Sequence, residues 1–229
     1  MSRRIRKHAN PFNVTTRIGA LDREAVFGRE APLEVDLGCG GGGFLFERAR
    51  ALPDVDFLGF EVRRPLVENA NRKAQQEGLH NLAIYYANAG ENLVGLVPPG
   101  VIRAFYVMFP DPCFKKRHRK RRILQPNIAR MMAELLPVGG HVYAQSDVKP
   151  LAEEMFDILM AEKAFESQLD PVLTVPSPIE ERTEWERHHE ANDEPIYRMR
   201  FDKVREPEGP VPEIELRNTN PNQPDEEPS

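Results

Sequence analysis

The chain is poor in cysteine and has no long apolar stretch. Its two cysteines, Cys39 and Cys113, lie far apart and outside any CxxC pair, which excludes a disulfide framework and a zinc ribbon. No apolar run approaches the ~18 residues that a membrane-spanning helix requires. The basic start, Met1-Ser2-Arg3-Arg4-Ile5-Arg6-Lys7, lacks the apolar core of a secretory leader. These absences leave a cytoplasmic protein without a membrane partner. His188 and His189 have no cysteine or acidic cluster at ligand spacing, so no metal is expected.

What is present suits one well-cored soluble domain: 229 residues, 40% hydrophobic and 29% charged. The net charge of −5 argues weakly against a nucleic-acid partner, but its distribution argues for one. Lys115 to Arg122 reads KKRHRKRR, seven positive charges in eight residues, which leaves the rest of the chain at −12. A polyanion meets the patch rather than the average.

Short apolar runs alternate with amphipathic stretches from residue 31 to 203. Strands are predicted at 33–37, 56–60, 82–87, 101–109 and 141–145, with two later ones at 165–169 and 196–201. Helices are predicted at 44–52, 65–77, 123–136 and 151–163, and a short helical piece at 91–97. Such alternation indicates an α/β domain with a parallel sheet covered on both faces. Residues 1–30 read as a basic arm holding one short helix. Residues 204–229 carry six prolines and seven acids with almost no bulky apolar side chains, the composition of a disordered tail.

Glycines follow the first strand and open the first helix. Gly38, Gly40 and Gly43 satisfy the dinucleotide pattern GxGxxG, whereas Gly38, Gly40 and Gly42 satisfy the GxGxG of methyltransferases; the spacing alone does not choose. Glu61, at the end of the second strand, is placed to accept hydrogen bonds from a ribose, which NAD and S-adenosylmethionine share. Glu34 tips the reading. An acid near the glycine turn repels a pyrophosphate but receives a cationic amino-acid end. Its alternative is a salt-bridged structural acid.

The fourth strand ends in Phe109-Pro110-Asp111-Pro112. Two prolines stiffen the backbone around one acid at the carboxyl end of a strand, where open α/β sheets gather their chemistry. The basic run begins four residues later. Seven like charges with no compensating acid suit a phosphate backbone better than a solvated face, so the substrate should be nucleic acid. Trp185 reads as packing rather than base stacking, although its neighbours keep stacking open.

Together, Glu34 with the glycine loop, Glu61, Asn88-Ala89, FPDP followed by KKRHRKRR, Ser146-Asp147 and Thr183-Glu184-Trp185-Glu186 resemble the bacterial tRNA (guanine-N7)-methyltransferases over residues 26 to 201. The resemblance implies a Rossmann-like class I methyltransferase fold, with a mostly parallel doubly wound sheet and an antiparallel last strand. It implies S-adenosylmethionine as cofactor and guanine 46 of the tRNA variable loop as target, in an enzyme acting as monomer or homodimer. By the same resemblance Glu34, Gly38, Gly40, Glu61, Asn88 and Asp111 contact the cofactor, and Asp111 is also catalytic. Lys115, Asp147, Thr183 and Glu186 bind substrate, and Lys116, Arg117, His118, Arg119, Lys120, Arg121 and Arg122 contact RNA. The family usually has Trp-Pro where Cys113-Phe114 stand, and often Asp at position 88. The rivals are a nicotinamide oxidoreductase, which leaves the basic run unexplained, and a non-catalytic RNA-binding protein on the same fold.

Overall fold

A computed structural model describes residues 9–169 and 176–210. Seven strands form one sheet in the order β3-β2-β1-β4-β5-β7-β6. They are β1 (Leu33–Leu37), β2 (Asp56–Glu61), β3 (Leu82–Tyr86), β4 (Ile102–Met108), β5 (His141–Ser146), β6 (Phe165–Leu169) and β7 (Tyr197–Lys203). β1 through β5 run parallel, while β7 is antiparallel to both β5 and β6. The helices are α1 (Arg23–Phe27), α2 (Gly43–Ala51), α3 (Arg64–Gln76), α4 (Pro126–Leu135), α5 (Lys149–Ala161) and α6 (Glu184–Ala191).

Strand alternation splits the core into two layers. Leu33, Val35 and Leu37 of β1 pack with Ile128 and Met132 of α4 and with Leu151 and Met155 of α5. On the opposite face Ala104 and Tyr106 of β4 pack with Phe44 and Leu45 of α2 and with Val67 and Ala70 of α3. Among the described residues no helix is long and apolar enough to cross a membrane.

The chain reverses its direction of sheet growth between β1 and β4, so the loops after these two strands part at a switch point. The glycine loop and the Phe109–Pro112 segment are those loops.

Two predicted elements differ. The helical piece at 91–97 is a single 3₁₀ turn, Ala89–Glu91. Its neighbour Asn92 instead ties down the N-terminal segment, accepting from the Ile18 amide at 2.9 Å and donating to the Thr16 carbonyl at 3.1 Å. The helix predicted from residue 123 starts at Pro126, because the residue before a proline is pushed out of the helical region; Gln125 sits at φ −135°, ψ 161°.

The N-terminal segment is anchored along the body. Arg17 pairs with Glu91 at 2.5 Å, and the Leu21 amide donates to the Leu96 carbonyl at 2.7 Å. At the other end, the stretch read as the start of a tail is also tied down. The Val204 amide donates to the Ala164 carbonyl, and Arg130 donates to the Gly209 carbonyl at 2.8 Å. Arg3, Arg4, Arg6 and Lys7, and the tail from residue 211 onward, lie outside the described residues.

Candidate functional site

A cavity of about 830 Å³ opens at the carboxyl ends of β1, β2 and β4. Its floor is the glycine loop. Gly38, Gly40 and Gly42 adopt φ of +82°, +60° and +75°. Gly43 does not, and a Cβ there would meet open space. A Cβ on Gly42 would come within 2.6 Å of the Ile84 side chain. The glycines that the backbone requires are therefore those of GxGxG, which resolves the ambiguity left by spacing.

Glu61 holds this loop in place. Its carboxylate accepts from the Gly40 amide at 2.9 Å, the Val62 amide at 2.8 Å and the Arg63 amide at 2.9 Å. The Arg63 guanidinium adds two more bonds, each 3.0 Å. A diol donating to Glu61 must share the carboxylate with that guanidinium or displace it. Asn88 also faces the cavity, and its Oδ1 accepts from the Gly90 amide at 3.2 Å, capping the following turn.

The carboxylate of Glu34 lies elsewhere. Glu34 is buried and takes no part in the cavity wall. Arg48 binds both of its oxygens at 3.1 and 2.8 Å, Arg103 Nε reaches Oε1 at 2.8 Å, and the Tyr106 hydroxyl donates to Oε2 at 2.9 Å. These are the neighbours of the salt-bridged acid of the alternative reading, and the side chain expected to contact the cofactor stands outside the cavity wall. Asp36 shares its strand face but stands two residues, about 7 Å, nearer the glycine turn. It lines the cavity, is 2% exposed, and its Oδ1 is buried without a hydrogen-bond partner. Burial, reinforced by the nearby Glu61 carboxylate, pushes Asp36 up to about 8. Sequence reasoning passed over Asp36, although its position two residues before Gly38 marks the last rung of the strand.

Asp111 forms the opposite wall. Its Oδ1 accepts from the Cys113 amide at 3.0 Å. Phe109 and Cys113 on either side have φ of +50° and +45°, a left-handed conformation costly for non-glycine residues. The segment thus holds Asp111 by two strained residues as well as by its prolines. Burial and the Asp111 carboxylate push the Cys113 thiol up to about 11, so it stays protonated at neutral pH.

The basic run forms a 3₁₀ turn, Lys116–Arg121, at the cavity mouth. Lys120, Arg121 and Arg122 line the cavity, whereas Lys115, Lys116, Arg117 and Arg119 are exposed outside it. His118 is half-buried at the middle of the turn. Arg122, expected to contact RNA, also donates to the Pro112 carbonyl at 2.9 Å and pairs with Glu154, pinning the run to the Asp111 segment.

Thr183 and Trp185 close the last side. The Thr183 hydroxyl accepts from the Glu186 amide at 2.9 Å and caps α6. Asp147 lies behind Trp185, accepting from its indole N–H at 3.1 Å, with His189 Nε2 at 3.4 Å. Glu186 points the other way. It is fully buried and bound by Gln145 at 3.0 Å and Arg198 at 2.9 Å, so the side chain expected to contact substrate stands outside the cavity wall. The structure therefore brings Gly38, Gly40, Glu61, Asn88, Asp111 and Thr183 to one cavity and leaves Glu34, Lys115, Asp147 and Glu186 outside its wall. Pro11 and Phe12 of the N-terminal segment also border it, which no sequence signal marked. Among the described residues no group of three or more His, Cys, Asp or Glu side chains is arranged to hold a metal ion.

The family described as "Putative methyltransferase" matches residues 30–199. A Trichormus variabilis protein named tRNA (guanine-N(7)-)-methyltransferase is 38% identical over 207 residues, covering 88% of this chain and 96% of that protein. A Synechococcus elongatus protein of the same name is 37% identical over 211 residues, covering 89% and 97%. Among solved structures, the aminoglycoside resistance methyltransferase NpmB1 superposes with a TM-score of 0.56 at 19% identity. It covers 79% of this chain and 91% of its own, which shows a common fold.

Proposed function

The chain belongs to the tRNA (guanine-N(7)-)-methyltransferase family, and from that premise we propose that its cavity serves methylation of guanine 46 in the variable loop. It is an S-adenosylmethionine-dependent tRNA (guanine-N7)-methyltransferase. We place it in the cytoplasm, acting as a monomer or homodimer.

One observation carries the assignment of the cofactor end. Asp36 offers a buried carboxylate oxygen without a partner beside a glycine loop built for close backbone approach. A cationic ammonium satisfies that oxygen and selects its ionised form, whereas a pyrophosphate gains nothing from Asp36 and is repelled by Glu61. Glu61 is positioned for the ribose and Asn88 for the adenine side. S-adenosylmethionine supplies an electrophilic methyl group on a sulfonium.

Guanine N7 carries an in-plane lone pair and no proton, so the chain needs no general base. Its residues have to orient the base and receive the positive charge that appears on it. Asp111, fixed between Phe109 and Cys113, is placed to hold the ring's N–H donors and to offset that charge. The exposed Lys115, Lys116, Arg117 and Arg119 grip phosphates and set position rather than sequence choice. Because N7 lies on an edge engaged by tRNA tertiary contacts, the base has to leave its stack, at about a few kcal/mol.

Methyl transfer to an unmodified tRNA transcript with guanine at position 46, beside one with adenine there, tests this reading. Label on the first alone, mapped as 7-methylguanosine, is the expected result. Label on both would move the target to another guanine, and label on neither would overturn the reading.

A further inference from the structure

Trp185 is the chain's one tryptophan, and it ends an aromatic pillar that begins at the catalytic segment. Phe109 stacks on His189 with centroids 6.0 Å apart and planes 10° from parallel. His189 meets the Trp185 ring edge-on at 5.0 Å, and His188 stacks on Trp185 at 5.4 Å and 26°. The indole N–H is spent on Asp147, which fixes the ring's rotation. A ring braced in this way could fill a core, yet Trp185 remains 39% exposed and forms part of the cavity wall together with Asp111 and Arg121. Core packing does not require a large aromatic surface at the mouth of a charged cleft. A planar ligand does.

We propose that Trp185 is the stacking platform of the target guanine and that its π face stabilises the cation formed on methylation. The inference rests on the guanine-N7 reading. When the N7 lone pair forms the new N–C bond, the S–C bond breaks with its electrons staying on sulfur, and the positive charge passes to the purine. No proton moves. A neutral guanine stacks on an indole, and a cationic one is also drawn to the negative π face. The attraction grows as charge develops, so it favours the transition state over the bound substrate.

The single tryptophan lets its emission report on the full-length protein directly. Titration with an unmodified tRNA transcript should lower Trp185 emission, and 7-methylguanosine monophosphate should quench it more strongly than guanosine monophosphate. W185L should lower kcat about tenfold or more, in keeping with base–aromatic stacking, with the KM for tRNA changed less than about threefold because phosphates supply most affinity. W185F keeps a ring but loses the N–H donor, and should recover most of the lost rate. W185F as slow as W185L would assign the role to the Asp147 hydrogen bond and overturn the proposal. So would unchanged emission at saturating tRNA in wild-type protein that methylates it. Wild-type protein that methylates no guanine would instead sink the underlying reading.

Discussion

The guanidinium of Arg63 holds the carboxylate of Glu61 in a bidentate pair, with Nε 3.0 Å from Oε1 and Nη2 3.0 Å from Oε2. The same carboxylate anchors the Gly40 amide, so one acid organises the loop and faces the expected ribose. Arg63 is 39% exposed, and a half-exposed pair contributes about 1 kcal/mol or less. Arg63→Met should therefore leave the loop folded and tighten S-adenosylmethionine binding by up to about fivefold. Glu61→Ala removes the acceptor of three amides and should weaken it about tenfold or more. Calorimetric titration of both variants checks the contrast.

Asp36 links cofactor binding to pH. Its folded-state value of about 8 means that most of it carries a proton at pH 7, and an ammonium group selects the ionised form. Affinity for S-adenosylmethionine should rise with pH, by at most about tenfold per unit, and level off above about 8. Asp36→Asn should weaken binding at pH 8 and flatten the profile. Stability moves in the opposite sense. The folded state keeps a proton that the unfolded state loses near pH 4, so Asp36 contributes less as pH rises from about 4 to about 8 and nothing further is lost above that. Thermal melts of the two proteins across this range should diverge, with Asp36→Asn gaining relative stability toward alkaline pH.

Asp111→Ala should abolish turnover while leaving tRNA affinity within about threefold, because phosphate contacts dominate affinity. Single-turnover methyl transfer and filter binding separate the two effects. Near-normal turnover would remove Asp111 from the reaction.

The basic turn divides into grips and a strut. Replacing Lys115, Lys116, Arg117 and Arg119 with glutamine should lower the slope of log affinity against log salt by about 3, if each meets one phosphate. Arg122→Ala should leave that slope unchanged and lower kcat, since Arg122 braces the turn against Pro112 and Glu154. Binding measured at several salt concentrations distinguishes them.

Gly59 of β2 underlies the glycine loop, and a Cβ there would lie 2.7 Å from Cys39 Sγ and 2.8 Å from a Leu45 methyl. Gly59→Ala should destabilise the protein by about 1–3 kcal/mol, as overpacking does. Urea unfolding gives the value, and weakened cofactor binding should accompany it because Cys39 must shift.

The strands were legible because apolar runs such as Val101–Phe109 are bounded by proline and glycine. Helix ends were less so. The start of α4 depended on the conformation of Gln125, which Pro126 sets but apolar spacing ignores. Glu61 and Asp111 could be placed at the cavity from the sequence, because Glu61 ends β2 and Asp111 follows the end of β4 by three residues. Alternation gives Glu34 and Asp36 the same face, and periodicity does not tell which rung reaches the cavity; in the structure Asp36 does. The burial of Glu186 was not legible either: its motif names the residue, whereas Gln145 and Arg198, which bind it, arrive from β5 and β7.

The alternating α/β order, the glycine turn, the acid between two prolines and the basic run beside it could be read from the chain alone, because each is written in adjacent residues. Folding alone brings Asp36 rather than Glu34 to the cavity, ties Arg122 to Pro112 and Glu154, and stacks Phe109, His189 and Trp185 into one pillar. Those outcomes depend on side chains brought together from distant elements, and spacing along the chain carries no record of them.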